Sequence, residues 1–264
     1  MNIYDASSER DSTYIAMEYL HGRELDQLLD EGHRYTPDEV ASIVWKIAGA
    51  LDHAHSHDVV HRDIKPANIF MIKDDQPKLV DFGIARAPNR LPRPHALKDQ
   101  PVTIFSGDML LGTPYYMSPE QALGKPVNAP TDIYSLGAVM YEMLTGRKPF
   151  DADATEDLLL QIVHKMPPEP KELDARIPGA LSRIVMKAMS KKPEKRYQTA
   201  EEMALDIKRY LLRERRARRH MKLSIAQKAT SGIDGGAARR RRLLWLGGLS
   251  LTTAAVLSLL PFVR

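Results

Sequence analysis

The sequence predicts an α+β domain that is mainly helical, contains a few short strands and is followed by a C-terminal transmembrane helix. Three observations support this prediction. Apolar residues recur at helical spacing in several segments, the strand-like segments are short and lie within 1–20 and 69–80, and residues 243–263 carry no charge. The 264 residues, 43% of them hydrophobic, suffice for one well-buried core. The chain has no cysteine, which excludes disulfide frameworks and thiolate metal sites.

Two short strands are predicted at the N-terminus. Residues 3–5 and 14–18 are rich in β-branched and aromatic side chains, and a polar stretch rich in serine and charged residues separates them. This composition is typical of two strands joined by a turn. The strands would form a small sheet beside a mostly helical domain.

Five segments predict helices, because their apolar residues recur every three or four positions. They are residues 38–57, 131–145, 158–164, 181–189 and 200–212. Thr36 and Pro37 mark the start of the first helix, and Gly146 ends the second. Thr199 and Glu202 form a capping pair ahead of the last helix.

The most informative segment is His61-Arg62-Asp63-Ile64-Lys65-Pro66-Ala67-Asn68, which is followed by Asp81-Phe82-Gly83. The apolar runs 69–72 and 78–80 flank a turn of acidic residues and proline, and therefore predict a hairpin that brings Asn68 and Asp81 to the same end. Asp63 can orient the proton of an attacking hydroxyl, and the oxygens of Asn68 and Asp81 suit magnesium. A D-x-x-x-x-N pattern alone is more often a surface loop, but this combination predicts phosphoryl transfer.

These motifs resemble those of the bacterial eukaryotic-like serine/threonine protein kinases, particularly the membrane-anchored group. The resemblance covers residues 1–212 and implies the protein-kinase fold, with 1–20 as a remnant of the N-lobe and hinge and 21–212 as the C-lobe. It also implies Mg²⁺-ATP as phosphate donor and a protein serine or threonine as acceptor. The implied roles are catalysis by Asp63, Lys65 and Thr113, magnesium binding by Asn68 and Asp81, and ATP binding by Met17, Glu18, Leu20 and Phe70. Met17 and Phe70 could instead be ordinary core residues.

The long segment 81–120 resembles an activation segment. The resemblance implies that Arg62 binds a phosphate carried by this segment, for which Thr103 and Ser106 are the candidate acceptors. Both could equally be ordinary loop hydroxyls. The resemblance further implies three scaffold roles: Glu120 pairs with Arg196, and Asp132 anchors the catalytic loop. Residues 118–120 read S-P-E where the family has A-P-E, which leaves the glutamate intact.

Four closely spaced histidines allow a second interpretation, a metal site. They are His53, His55, His57 and His61. The interpretation is weak, because metal sites need acidic or thiolate company in a dedicated geometry and because histidines are favoured electrostatically at the C-terminus of a helix.

Two sequence features of the family are missing from these 264 residues. No G-x-G-x-x-G occurs, and the first lysine is Lys46, so no phosphate loop or strand lysine precedes His61. Two hypotheses follow. The protein is a kinase whose recorded start is misplaced or whose N-lobe is supplied otherwise, or it is a kinase remnant that acts as a membrane-tethered interaction module. In either case we expect the chain alone to be nearly inactive.

Charge divides sharply along the chain. Residues 1–207 contain 24 Lys and Arg against 32 Asp and Glu, whereas residues 208–264 contain 14 against 2. The basic stretch 213–219 should continue the last helix, and the linker 213–242 ends in four arginines directly before the 21 uncharged residues 243–263. This arrangement predicts a single transmembrane helix with the preceding domain in the cytoplasm, the C-terminus outside and anionic lipid as a partner.

The remaining partner expectations follow from the same features. Nucleic-acid binding is disfavoured, because aromatic residues do not interleave with the arginines. A buried core helix is the alternative for 243–263. Residues 1–11 are polar and predict no signal peptide. A homodimer is left open, and protein substrates with serine or threonine are expected from the resemblance.

Overall fold

The computed structural model describes residues 3–9, 12–72, 76–82 and 114–225. The chain divides into two compact units, Met1–Leu211 and Leu212–Arg264. The second unit is described over 212–225, which are helical.

The described residues form five strands and eight α-helices. The strands are β1 (Ile3–Glu9), β2 (Ser12–Met17), β3 (Gly22–Glu24), β4 (Ile69–Ile72) and β5 (Gln76–Leu79). The helices are α1 (Leu25–Asp30), α2 (Pro37–His55), α3 (Pro119–Ala122), α4 (Ala129–Thr145), α5 (Thr155–His164), α6 (Pro170–Leu173), α7 (Gly179–Ala188) and α8 (residues 200–225). Short 3₁₀ turns cover Pro66–Asn68 and Pro193–Lys195. The five predicted helices are confirmed, with starts one to three residues earlier in most; the short α1, α3 and α6 were not predicted.

The first two strands pair as an antiparallel hairpin that is longer than the sequence predicts. Ser7 pairs with Tyr14 and Ser8 with Thr13, so the ladder runs through the stretch that was expected to be a polar turn. That expectation was wrong. An antiparallel ladder is held by backbone hydrogen bonds, which serine and threonine make as well as any other residue.

A second, three-stranded sheet has the order β3-β4-β5. The predicted hairpin is confirmed, since Ile69 pairs with Leu79 and Ile72 with Gln76. Strand β3 is an addition that its polar sequence does not signal. It depends on Gly22, where an added Cβ would lie 2.2 Å from the Met71 carbonyl oxygen.

The helical core is built around α4, most of whose residues are buried. Gly137 lets α7 approach this helix closely, because a Cβ there would lie 2.8 Å from the Ala188 Cβ. The helix ends at Gly146, which has a left-handed φ of 67°. Helix α2 also packs on α4 and begins with a capping box formed by Thr36 and Glu39.

Helix α8 is fixed on α2 at two points. Asp52 accepts a hydrogen bond from the Glu201 backbone (3.0 Å), and the Tyr210 hydroxyl donates to Asp38 (2.6 Å). One of the two hydrogen bonds of the predicted capping pair is present, since the Thr199 hydroxyl accepts from the Glu202 backbone N–H. The Glu202 carboxylate, however, accepts from the Gln198 backbone N–H and not from that of Thr199. The prediction that the basic stretch 213–219 continues this helix is confirmed.

The predicted transmembrane segment 243–263 lies outside the described residues. Among the helices that the structure does describe, none combines the length and the apolar character that a membrane span requires.

Candidate active site

The loop 61–68 lies between α2 and β4, and one buried carboxylate accepts hydrogen bonds from its backbone. Asp132 in α4 is fully buried and accepts hydrogen bonds from the backbone N–H groups of His61 and Arg62, both at 2.8 Å. Arg62 has a φ of +66°, a left-handed conformation that is unfavourable for a residue with a side chain. The two hydrogen bonds therefore hold a strained turn, directly before Asp63.

Asp132 also contacts His55, one of the four histidines considered above as a metal site. The His55 Nε2 lies 2.8 Å from the Asp132 carboxylate, and the imidazole is 9% exposed. His55 ends α2, so this contact connects α2, α4 and the loop. The two residues are 77 positions apart, and no local sequence pattern predicts their contact.

His61 joins the loop to the hairpin. Its Nε2 lies 2.9 Å from the Val80 carbonyl oxygen, and its Nδ1 accepts a hydrogen bond from the Asp63 backbone at 3.3 Å. Burial lowers the pKa of His61, although the Val80 carbonyl and nearby carboxylates oppose that change. A neutral ring with its proton on Nε2 satisfies both contacts. The ring also packs against Phe82, at a centroid distance of 4.7 Å.

The Asp63 carboxylate is the centre of the polar cluster. Its Oδ2 lies 2.9 Å from the Lys65 Nζ and 3.1 Å from the Asn68 Nδ2. The same Asn68 amide donates to the Asp63 carbonyl oxygen at 2.7 Å. About one third of the Asp63 side chain is exposed, at 33%. A hydroxyl could therefore reach this carboxylate, which two donors hold in place.

The hairpin places Asp81 next to this cluster. The Val80 backbone N–H donates to the Asn68 carbonyl oxygen at 3.0 Å, so Asn68 and Asp81 lie at the same end of β4 and β5. Asp81 is exposed and has a left-handed φ of +56°. Because Asn68 directs its N–H₂ group at Asp63, its side-chain oxygen faces the other way.

The donor set fits a hard cation. The Asn68 amide and the Asp81 carboxylate offer oxygen atoms only, which is what magnesium prefers. Groups of three or more His, Asp or Glu side chains that could hold a metal do not occur in the described part of the chain. A magnesium ion here would therefore complete its shell with phosphate and water oxygens.

The four residues predicted to bind ATP line one open cleft of about 660 Å³ together with Asp81. They are Met17, Glu18, Leu20 and Phe70. Met17 is 40% exposed, which contradicts its alternative interpretation as a core residue. The Glu18 carboxylate binds Lys78 of β5 at 2.7 Å. This pair connects the segment after β2 to the hairpin that carries Asp81.

Glu120 and Arg196, expected to pair, form a buried ion pair with two hydrogen bonds of 2.7 and 2.8 Å. Arg196 makes three further hydrogen bonds, to the carbonyl oxygens of Pro130, Ser190 and Lys191. Burial alone raises the pKa of Glu120, but the Arg196 hydrogen bonds and charge, together with the Thr131 hydroxyl, outweigh it and the pKa is lowered. The carboxylate therefore stays charged.

Gln121 also supports the loop and was not predicted. Its side-chain N–H₂ donates to the Arg62 carbonyl oxygen at 2.8 Å, while its oxygen accepts from the Ser118 backbone. Helix α3 thus contacts the strained turn through the Gln121 side chain. The signal that could have found it is the capping pattern S-P-E-Q at 118–121.

Three predicted site residues lie outside the described residues: Thr113, Thr103 and Ser106. The four histidines considered as a metal site are directed to different places. His55 contacts Asp132, His61 contacts Val80, and the rings of His53 and His57 contact each other at 4.6 Å.

Comparison with known proteins gives consistent matches. The protein kinase domain family matches residues 1–210. A probable serine/threonine-protein kinase of Clostridium acetobutylicum is 41% identical over 203 residues, which are 77% of this chain and 29% of the relative. The serine/threonine-protein kinase PrkC of Bacillus subtilis is 38% identical over 208 residues, 79% of this chain and 30% of that protein.

A third relative is the serine/threonine-protein kinase PknB of Mycolicibacterium smegmatis, which is 39% identical over 194 residues, 74% of this chain and 30% of the relative. The chain thus spans about 30% of the length of the curated relatives that it matches.

Proposed function

The chain belongs to the protein kinase family, and from this premise we propose that it provides the catalytic-loop side of a site that transfers the γ-phosphoryl group of ATP to serine or threonine hydroxyls of proteins. One observation carries the proposal. Asp63 is held between Lys65 and Asn68, and the hairpin brings Asp81 beside them. Phosphoryl transfer needs this combination of a group that orients the hydroxyl and oxygens that hold the metal.

The roles of the side chains follow from their positions. Asp63 orients the acceptor hydroxyl and takes its proton, because its carboxylate is partly exposed and is fixed by two donors. Lys65, 2.9 Å away, helps to hold that carboxylate in place and offers a cation to the transferred phosphate. Asn68 and Asp81 would hold magnesium, which when bound neutralises phosphate charge. The cleft between Met17 and Phe70 is open enough for the adenine.

The preference for serine and threonine is supported by Lys65 and by the names of the relatives. Thr113, the other residue of this subclass pattern, is assigned the same role on the resemblance alone. Arg62, Thr103 and Ser106 are proposed to form a phosphate-dependent switch of segment 81–120. The structure describes Arg62 alone of these three.

We further propose that residues 243–263 anchor the protein in the cell membrane with the kinase domain in the cytoplasm. The support is the run of 21 uncharged residues directly after Arg239–Arg242. Extraction of the membrane fraction at alkaline pH tests this anchor, since a spanning segment stays with the lipid and a surface-bound chain is released.

The 264-residue chain should by itself transfer phosphate at close to background rate. It contains no Gly-rich loop and no lysine before Lys46, so it lacks the groups that cover and neutralise the phosphates. The measurement is transfer from radiolabelled ATP to a generic basic protein, with Asp63→Asn as control. Robust transfer by the chain that the control lacks would contradict this expectation.

A gain of function separates the two hypotheses for the chain. Fusing a kinase N-lobe segment with a Gly-rich loop and strand lysine ahead of residue 3 should restore transfer, and Asp63→Asn should abolish it. A well-folded fusion that binds ATP but never transfers phosphate would favour the alternative, a membrane-tethered interaction module. Its partner could then be another protein or a second copy of the chain.

A further inference from the structure

The last described part of the chain, residues 212–225 of α8, has an unusual surface. It carries six Lys and Arg residues and a single acidic residue, Glu214. Its side chains are almost all exposed, including four large apolar ones: Leu212 at 44%, Met221 at 64%, Leu223 at 54% and Ile225 at 61%. A helix so basic and so apolar at once is uncommon on a domain that faces only water.

The apolar side chains are arranged in an ordered way. Ala217, Met221 and Ile225 follow each other at intervals of four and therefore lie in one ridge along the helix. Arg213 and Arg218 border the ridge on its two sides, and Lys222 lies beyond Arg218. Leu223 lies on nearly the opposite side of the same turn. The segment thus presents a narrow apolar ridge flanked by long cationic side chains.

We propose that residues 212–225 bind the surface of an anionic lipid bilayer, with the Ala217–Met221–Ile225 ridge turned toward the acyl chains. The inference rests on the proposed membrane anchoring of this protein and adds a second, peripheral contact to it. Charge complementarity decides the occupant: six cations suit anionic headgroups, whereas a second copy of the same helix would bring twelve like charges together. Long arginine and lysine side chains can reach headgroups while their stems cover the apolar boundary.

The ridge alone is too small to bind lipid. Only three apolar side chains point that way, one of them is alanine, and the polar residues Glu214 and Ser224 lie on the same face. Binding should therefore need anionic lipid and should be weakened by salt, because screening shortens the range of the attraction. The proposed span 243–263 would keep the segment near the bilayer on any lipid, so that lipid charge decides only whether the helix lies on the surface.

The absence of cysteine from the chain makes a site-specific test possible. The full chain with Met221→Cys is labelled with an environment-sensitive fluorophore and reconstituted in vesicles that contain acyl-brominated lipid. Quenching should be strong with phosphatidylserine present and lost in pure phosphatidylcholine. Leu223→Cys is the matched control, since it lies on the same turn with similar exposure, and its label should stay unquenched. Equal quenching of the two labels would overturn the proposal.

A charge variant tests the electrostatic part. Replacing Arg213, Arg218 and Lys222 by glutamine keeps helix propensity and should reduce quenching of the Met221→Cys label to the level in neutral lipid. Unchanged quenching would overturn the role of charge. Quantitative disulfide formation between unlabelled Met221→Cys chains, independent of lipid composition, would identify a second copy as the occupant and would also overturn it.

The proposed anchor is tested separately in the same samples. Flotation of the chain with neutral vesicles reports the span, whatever the label at position 221 does. A chain that floats with neutral vesicles but whose label stays in water on anionic lipid keeps the anchor and contradicts the surface helix. A chain that does not float with neutral vesicles contradicts the anchor alone.

Discussion

Two ion pairs in this domain have nearly the same length and very different surroundings. Glu120 and Arg196 meet at 2.7 Å with side chains that are 6% and 0% exposed. Asp63 and Lys65 meet at 2.9 Å with 33% and 39% exposed. The first pair is saturated with hydrogen bonds, whereas the second is partly exposed to solvent. The scaffold pair is thus shielded from water, whereas the pair in the proposed site is held in place and remains accessible from solvent.

The largest expected effect comes from breaking the insulated pair. Arg196→Met leaves the Glu120 carboxylate buried without its partner and removes the donors of three backbone carbonyls. We expect a loss of about 3–5 kcal/mol in the free energy of unfolding. Urea unfolding followed by circular dichroism measures it.

The control for this variant is an exposed arginine in a similar contact. Arg176 pairs with Asp174 at 2.7 Å, but its side chain is 90% exposed, so Arg176→Met should cost far less than Arg196→Met. Adding Glu120→Leu to Arg196→Met should recover much of the loss. If Arg196→Met cost no more than Arg176→Met, burial would not be what distinguishes the two pairs.

The next effect concerns the anchor that connects scaffold and site. Asp132→Ala leaves the N–H groups of His61 and Arg62 without their acceptor, and also removes the partner of His55. The expected cost is about 2–4 kcal/mol, since buried groups lose their hydrogen bonds. Hydrogen exchange of these two amides should accelerate more than that of amides in α7.

Asp132→Asn serves as the graded control, because it keeps one acceptor oxygen and removes the charge. Its effect on exchange at His61 and Arg62 should be intermediate. Exchange at these positions that matches the wild type in Asp132→Ala would show that the turn is held by other contacts, such as that of Gln121 with the Arg62 carbonyl.

Local signals made much of this fold predictable. The hairpin 69–79 follows from two apolar runs around a turn, and helix α2 follows from helical periodicity and the Thr36 cap. These signals act within a few residues. The pairing of Glu120 with Arg196 came from the family resemblance, because no local rule connects positions 76 residues apart. The family resemblance therefore predicted a long-range contact that local sequence rules do not predict.

Other parts could not be predicted, for identifiable reasons. The contact of His55 with Asp132 depends on how α2 packs on α4, which periodicity does not specify. Strand β3 has a polar sequence and exists because Gly22 lets it approach Met71. The hairpin β1–β2 is longer than expected because its polar residues still supply backbone hydrogen bonds. In each case tertiary or backbone contacts outweigh side-chain preference.

The pH dependence of the free energy of unfolding tests the surroundings of the buried Glu120–Arg196 pair through Lys191, whose carbonyl oxygen accepts a hydrogen bond from Arg196. Its Nζ donates to the Ile162 carbonyl oxygen at 2.6 Å and lies 4.3 Å from the centre of the Phe150 ring. These contacts favour the charged form, but burial, followed by the Arg196 charge, lowers the pKa of Lys191 to about 7. An unfolded chain would hold this proton up to the ordinary lysine range, so between pH 7 and that range the unfolded state binds more protons.

Because the unfolded state binds more protons above pH 7, raising the pH favours the folded state. The wild-type free energy of unfolding should rise with pH above 7, by up to about 1 kcal/mol per pH unit, and should level off below 7, where both states are protonated. Lys191→Met should lack this slope, which is the quantity to compare. Parallel pH profiles of the two proteins would show that Lys191 keeps its proton in the folded state.

The smallest expected effect lies at the open pair. Lys65→Met should change the free energy of unfolding by less than about 1 kcal/mol, because water already solvates both side chains. Salt should affect the two variants differently. About 0.5 M sodium chloride should remove the small difference in the free energy of unfolding between Lys65→Met and the wild type, but should leave the cost of Arg196→Met nearly unchanged. A large, salt-resistant cost for Lys65→Met would mean that the site pair is as insulated as the scaffold pair. The open geometry around Asp63, which lets a hydroxyl approach, would then be wrong.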